Sequence, residues 1–231
     1  MTVRAETSLR ATLARDLEAI GVGQGGTSEA GAFLDRALDF ATLLAKWNAK
    51  IRLVGPSDLT TIVREQVVDA MGFALALATL DDESYWDIGA GGGLPGLLLA
   101  LRFPERRFIL VEPIHKKTAF LQHAAQVFGL SNVQVHTGRV APDGSLEPAL
   151  LRAPSPLPHA AFSRATLAPD PWLATARRLV GPGGLVLIAV ADSIPDSISN
   201  DPASSAAGAW RWTVPATGAP RLLVARRIAA I

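Results

Sequence analysis

The chain has no cysteine. That excludes disulfides, thiol catalysis and cysteine zinc sites, and it fits a reducing compartment. It also lacks an excess of charge of either sign. Lys and Arg total 22 against 21 Asp and Glu, a net charge of +1. There is thus no global case for a nucleic-acid surface, and only a local patch could supply one. No apolar run reaches the ~18 residues of a membrane span. The opening Met1-Thr-Val-Arg-Ala-Glu6 holds an acid and no apolar core, so it does not read as a secretory signal. His115, His123, His136 and His159 show no metal-ligand spacing, and no metal is expected. There is no internal repeat. What is present is 231 residues, 49% hydrophobic, with a mean hydropathy of +0.26. These numbers describe a folded soluble protein with one good core, cytoplasmic by default.

The patterning divides the chain near residue 80. Residues 1–80 read as a helical region. Leu9, Leu13, Leu17 and Ile20 recur at helical spacing, and Gly21-Val-Gly23 stops that helix. Thr27-Ser28 offers a cap for a second helix with Phe33, Ala37, Phe40, Leu44 and Trp47 on its buried stripe. A third helix is expected over 59–78, with Val63, Val67, Ala70, Ala74 and Leu77 inward. From residue 81 to 231 the rhythm changes to alternating strand and helix. Strands are predicted at 85–88, 107–111, 133–136, 160–163 and 185–190, and helices at 94–102, 116–128 and 171–179. This alternation predicts a doubly wound parallel α/β sheet with helices on both faces. Stretches 141–159 and 191–207 read as loops. Segments 209–214 and 221–226 flank Pro215-Ala-Thr-Gly-Ala-Pro220 and suggest an antiparallel hairpin at one sheet edge.

One stretch carries chemistry: Tyr85-Trp-Asp-Ile-Gly-Ala-Gly-Gly-Gly-Leu-Pro-Gly96. It reads as strand, glycine turn and helix start. Glycines let the backbone turn sharply and approach a ligand, and the helix start presents unpaired N–H groups there. Two readings compete. A nicotinamide dinucleotide asks for Gly-x-Gly-x-x-Gly with an acid about 20 residues on. Here the spacing is Gly89-x-Gly91-x-Gly93, with Asp87 before it and Glu112 ending the next strand. That order suits S-adenosylmethionine. An acid near the turn meets its ammonium, and the strand-end carboxylate accepts its two ribose hydroxyls. A plain strand-to-helix turn, with Asp87 serving the helix N-terminus and Glu112 solvated, is the bland alternative.

The residues Asp87-Ile-Gly-Ala-Gly-Gly-Gly-Leu-Pro-Gly96, Phe108-Ile-Leu-Val-Glu-Pro-Ile-His-Lys-Lys-Thr-Ala-Phe-Leu121, Gly138-Arg-Val140 and Phe162-Ser-Arg-Ala165 resemble the ribosomal small-subunit methyltransferase G family, also called glucose-inhibited division protein B. Lys46-Trp-Asn48 and the Leu53 to Ser57 segment match more loosely. The resemblance spans most of residues 40–190. It implies a Rossmann-like class I fold with S-adenosylmethionine as donor. The implied acceptor is N7 of a guanosine in small-subunit ribosomal RNA, presented as RNA or as the 30S particle. It implies backbone contacts to the donor at Gly89 and Leu94, adenine-side contacts at Val140 and Ala141, and a place for Arg164 beside the methionine end and the target base. Guanine N7 already carries an in-plane lone pair, so no general base is needed, and the gain comes from alignment. Arg164 is then the candidate catalytic residue, because an arginine reads the O6/N7 edge of guanine. A monomer is the expectation.

Some family positions differ. Arg52-Leu-Val54 stands for Asn-Leu-Thr or Asn-Leu-Val, Glu65-Gln66 for Arg-His, and Val190-Ala191 for Lys-Gly, while 141–159 is longer. These positions belong to the acceptor side. They keep open a relative acting on another RNA or a small molecule, or a non-catalytic donor-binding module. Lys46, Lys50, Arg52, Arg64, Arg102, Arg106, Arg107, Lys116 and Lys117 supply basic charge that suits phosphate, though acids are interspersed.

Overall fold

The computed structural model describes residues 3–23, 28–141, 145, 158–164 and 166–230. The expected cap at Thr27, Ala165, and most of the 141–159 stretch lie outside these.

Apolar residues at helical spacing build the N-terminal half. Helix α1 (Val3–Ala19) buries Leu9, Leu13 and Leu17, and α2 (Ser28–Ile51) buries Phe33, Ala37, Phe40 and Leu44. Both are amphipathic, and tertiary burial of that stripe is what holds such helices. The Asp16 carboxylate of α1, 4% exposed, accepts from Arg64 Nε at 3.2 Å and ties the two ends of the region together.

The third helix departs from expectation. Residues 59–78 form α3 (Leu59–Thr61), a π-helical turn (Ile62–Val67), α4 (Val68–Met71) and α5 (Phe73–Leu77). Asp58 caps its start, accepting from Thr61 N–H at 2.8 Å. Gly72 sits at the break, and packing explains why it is glycine. A Cβ there would lie 2.2 Å from Trp212 Cε2, so the indole of a distant strand rests directly on the helix backbone. The π-turn widens the helix just where Gln66 is presented, and such turns concentrate at functional sites.

Among the described residues seven strands form one sheet: β1 (Ser84–Ile88), β2 (Arg107–Glu112), β3 (Val133–Thr137), β4 (Ala160–Ser163), β5 (Leu185–Val190), β6 (Ser204–Val214) and β7 (Ala219–Ile228), in the order 3-2-1-4-5-7-6. β1 to β5 are parallel, and β7 runs antiparallel between β5 and β6. The edge hairpin is thus present and longer than expected. The loop expected over 191–207 instead holds a short α9 (Asp196–Ser199) and the start of β6.

Alternation places side chains on two faces. Tyr85, Phe108, Leu110, Phe162 and Leu187 share one core with the N-terminal helices, α6 (Gly96–Arg102) and α7 (His115–Val127). Trp86, Ile109, Val111, Val186 and Ile188 pack against Trp172, Leu173 and Ala176 of α8 (Pro169–Val180). The strand order reverses between β1 and β4. Open α/β sheets place their ligand crevice there, beyond the strands' carboxyl ends.

Candidate functional site

The glycine turn occupies that crevice. Gly89 has φ +77° and its N–H donates to Val111 O at 2.8 Å, which pins the turn to β2. A Cβ on Gly89 would sit 2.2 Å from Thr166 Oγ1, so only glycine fits. Glu112 ends β2, is 4% exposed, and is held by two backbone donors. Gly91 N–H gives to Oε2 and Ile114 N–H to Oε1, each at 3.0 Å. Each oxygen keeps a further lone pair.

Asp87 lies elsewhere. It is 1% exposed, and its Oδ2 accepts from Gly96 N–H at 3.1 Å, beneath the turn. Burial pushes its pKa up to about 7. Glu112 adds to the rise, while the Gly96 bond and the charge of Arg164 oppose it. A Cβ on Gly96 would come within 2.3 Å of that carboxylate. Asp87 is therefore placed to hold the strand, turn and helix start in one geometry.

Two cavities adjoin at Gly89, Pro113 and Thr166. One, of about 320 Å³, is mostly apolar, with Ile88, Val111, Val140 and Pro171 in its walls. The other, of about 430 Å³, has mixed walls that include Gly91, Leu94, Glu112, Gln66, Lys117 and Arg164. An elongated ligand with a flat apolar-faced ring at one end and a charged group at the other matches this pair, since pockets fix such ligands with a few placed polar groups.

Arg164 follows β4 and closes the second cavity. Its Nη2 donates to Asp69 Oδ2 at 2.6 Å and to Gln66 Oε1 at 3.2 Å. Asp69, on α4, is itself buried, and its Oδ1 accepts from Arg221 Nε of β7 at 3.1 Å. Asp69 is thus gripped by two guanidiniums.

Of the residues expected from sequence, Gly89, Gly91, Leu94, Glu112 and Arg164 meet at the second cavity, and Val140 joins Gly89 at the first. Gly93 packs behind the turn, where a Cβ would be 2.5 Å from Leu97. Ala141 lines neither cavity and donates its N–H to Ser145 O at 3.0 Å. Asp69, Arg221 and Thr166 were not expected. Each acts through a partner distant in sequence, and no local motif announces it. Of the substituted positions, Gln66 bonds Arg164, and Val190 and Ala191 line a further cavity beyond it, while Arg52 and Glu65 line none of these cavities. Among the described residues no His, Asp and Glu cluster could hold a metal ion, and no helix is long and apolar enough to cross a membrane. His123 packs on Trp47, with ring centroids 5.4 Å apart, and burial holds the pKa of His136 below its ordinary value.

The fold is shared with solved structures of low sequence identity. The O-methyltransferase TomG of Streptomyces achromogenes, determined with SAM, superposes with a TM-score of 0.53 at 16% identity, over 84% of this chain and 90% of that one. The [4+2]-cyclase SpnF superposes at 0.54 and 14% identity, over 89% and 97%. The two names describe different chemistries, so the shared fold does not by itself set a reaction. Strand order, glycine turn and carboxylate-ended second strand define a Rossmann-like sheet of the class I methyltransferase type. Sequence comparison narrows this. The family described as rRNA small subunit methyltransferase G matches residues 34–218. Relatives of that name include one from Burkholderia pseudomallei (strain 668), 32% identical over 80% of this chain and 76% of the relative. Another, from Wolinella succinogenes, is 34% identical over 67% and 73%. One from Herminiimonas arsenicoxydans is 38% identical over 113 residues, and there the chain spans about half the relative's length, 51%. The chain belongs to the ribosomal RNA small subunit methyltransferase G family.

Proposed function

We propose that this chain is an S-adenosylmethionine-dependent methyltransferase that modifies N7 of a guanosine in small-subunit ribosomal RNA, acting in the cytoplasm on the RNA or the 30S particle. The observation that carries this reading is the pair of adjoining cavities at Gly89, with Glu112 in the wall and Arg164 fixed at the far end. Family membership supplies the acceptor.

The residues present fit the donor. Val111, Val140 and Pro171 give a flat ring apolar walls. The remaining lone pairs of Glu112 suit a ribose diol, because a carboxylate takes two hydroxyl donors with charge-assisted strength. Gly91 and Leu94 bring backbone close to the methionine portion, and Asp87 keeps that backbone in place from below. When bound there, S-adenosylmethionine supplies a methyl group activated by its sulfonium. That methyl group would pass to the guanine N7 lone pair and leave S-adenosylhomocysteine, with no proton for the protein to move. The protein's part is to hold N7, carbon and sulfur in line and to exclude competing water. Arg164 orients the base, since its guanidinium is already fixed by Asp69 and Gln66 and can donate toward O6.

The test compares 16S rRNA from cells with and without the gene by digestion and mass spectrometry. Loss of one 7-methylguanosine, restored by purified protein and donor on 30S particles, is expected. Full retention of that nucleoside overturns the reading. A second reading, a relative with another acceptor, is favoured by Gln66 and Val190 standing at the site in place of the family's residues. Normal turnover on 30S particles excludes it.

A further inference from the structure

Beyond Arg164, on the side away from the glycine turn, lies a third cavity of about 320 Å³. Asp69, Phe73, Val190, Trp212, Arg221 and Leu222 contribute to its lining. Arg164 lines both this cavity and the donor-side cavity, so the two meet at its side chain. The walls come from three distant parts of the chain: α4 and α5, the end of β5, and the β6–β7 hairpin. Its apolar side includes two aromatic rings, Phe73 and Trp212, packed edge to face at 6.5 Å between centroids. Its polar side is one carboxylate between two guanidiniums.

We propose that this third cavity is the acceptor pocket, that it takes a guanine base turned out of its RNA strand, and that Arg221 is a second residue reading that base. The proposal rests on the reading of the donor site given above. Three features favour this occupant. Position comes first: Arg164 is common to the walls of both cavities, so a base seated in the third lies against the same side chain that ends the donor cavity. Shape comes second, because bases that are modified by enzymes leave the stack and enter pockets with apolar or aromatic walls. Polar pattern comes third. Guanine offers acceptors at O6 and N7 and donors at N1 and N2. Arginine can donate to O6, leaving N7 free to take the methyl group, and a carboxylate can accept from N1 and N2. Adenine, with a donor at N6, does not match two guanidiniums in the same way. Arg221 is paired through Nε to Asp69, and it is 36% exposed along its side chain, so it can reach an incoming ring.

The experiment uses the full chain with three substitutions. Arg221→Ala removes the second guanidinium, Arg221→Lys keeps its charge without its planar fork, and Ala191→Phe narrows the cavity from an exposed position that carries no packing. The readouts are methyl transfer to 30S particles, S-adenosylmethionine affinity by calorimetry, and quenching of tryptophan fluorescence by guanosine 5′-monophosphate with S-adenosylhomocysteine bound. At least a tenfold loss in kcat/KM for 30S particles is expected for Arg221→Ala and Ala191→Phe, with no rescue by lysine. Donor affinity stays within about twofold. Guanosine monophosphate quenches the natural chain and not Ala191→Phe, while adenosine monophosphate leaves both unchanged. Natural rates in both Arg221→Ala and Ala191→Phe overturn the pocket assignment, and so does equal quenching in the natural chain and Ala191→Phe. If the natural chain binds donor but leaves 30S particles unmethylated, the ribosomal reading fails. The pocket then stands or falls on the quenching comparison alone.

Discussion

Replacing Asp87 by asparagine separates the electrostatics of the turn from its shape. The carboxyl group is buried beneath the helix start, and its pKa is pushed up to about 7, chiefly by loss of water. In an unfolded chain an aspartate titrates near ~3.9. Between those two values the folded protein holds a proton that the unfolded chain has lost. Stability from this group is therefore fullest at low pH, falls as pH rises through the window, and levels off above about 7. The whole fall amounts to about 4 kcal/mol at 1.36 kcal/mol per pKa unit. Asparagine keeps the size and an oxygen to accept from Gly96 N–H, and it does not titrate. The stability of Asp87→Asn relative to the natural chain is expected to grow by about 3 kcal/mol between pH 5 and pH 8. Urea unfolding of both proteins across that range, followed by tryptophan fluorescence, measures the difference. Its absolute sign at one pH is less telling than its slope, because the new amide N–H₂ brings its own unpaired donor. Parallel curves, or a difference that grows toward acid, refute the argument.

The donor site gives three more predictions. Gly89→Ala places a methyl group 2.2 Å from Thr166 Oγ1 at a φ of +77°, and at least a tenfold loss of S-adenosylmethionine affinity by calorimetry is expected; unchanged affinity refutes the placement. Glu112→Gln turns a charged acceptor neutral, and since charge-assisted bonds are roughly twice as strong, donor affinity is expected to fall about tenfold, which calorimetry reads directly. Gly96→Ala drives a Cβ against Asp87 Oδ2 in a fully packed place and is expected to lower stability by about 1–3 kcal/mol in urea unfolding.

Strands of the parallel sheet were legible because each is a short apolar run bounded by glycine, proline or acid, and such runs belong to strands buried on both faces. The first two helices were legible for the complementary reason, a single apolar stripe at helical spacing. The third was not. Nothing within residues 59–78 shows why residue 72 must be glycine; the indole of Trp212 leaves no room for a Cβ there, from a strand at the far edge of the sheet. Ser204 to Gly208 read as loop because the segment lacks apolar alternation, yet its backbone pairs with β7, which lengthens the hairpin. Among site residues, Gly89, Gly91 and Glu112 stood out by spacing because strand, turn and next strand end are neighbours both in sequence and in space, while Leu94 came from the family resemblance. Asp87 was expected to face the donor's ammonium; it lines neither cavity and accepts from Gly96 N–H at the helix start.

Asp69 and Arg221 mark the other regime. Their pairing joins positions 152 residues apart, and neither belongs to a spacing pattern. The donor-side walls draw mainly on one continuous stretch, from β1 to just after β3, with Leu53, Val54, Gln66, Arg164, Thr166 and α8 among the residues completing them. The third cavity is built where the N-terminal helices, the end of β5 and the edge hairpin converge. The turn is tied down from several sides: Gly89 and Ala90 N–H donate to Val111 O, Gly91 N–H to Glu112 and Gly96 N–H to Asp87. Arg164 stands between the two sets, held by Gln66 from the donor-side wall and by Asp69 from the wall of the third cavity, both accepting from Nη2. Val190 lies in that third wall, so a change there can alter the ring the cavity admits while the turn beneath the donor keeps its geometry.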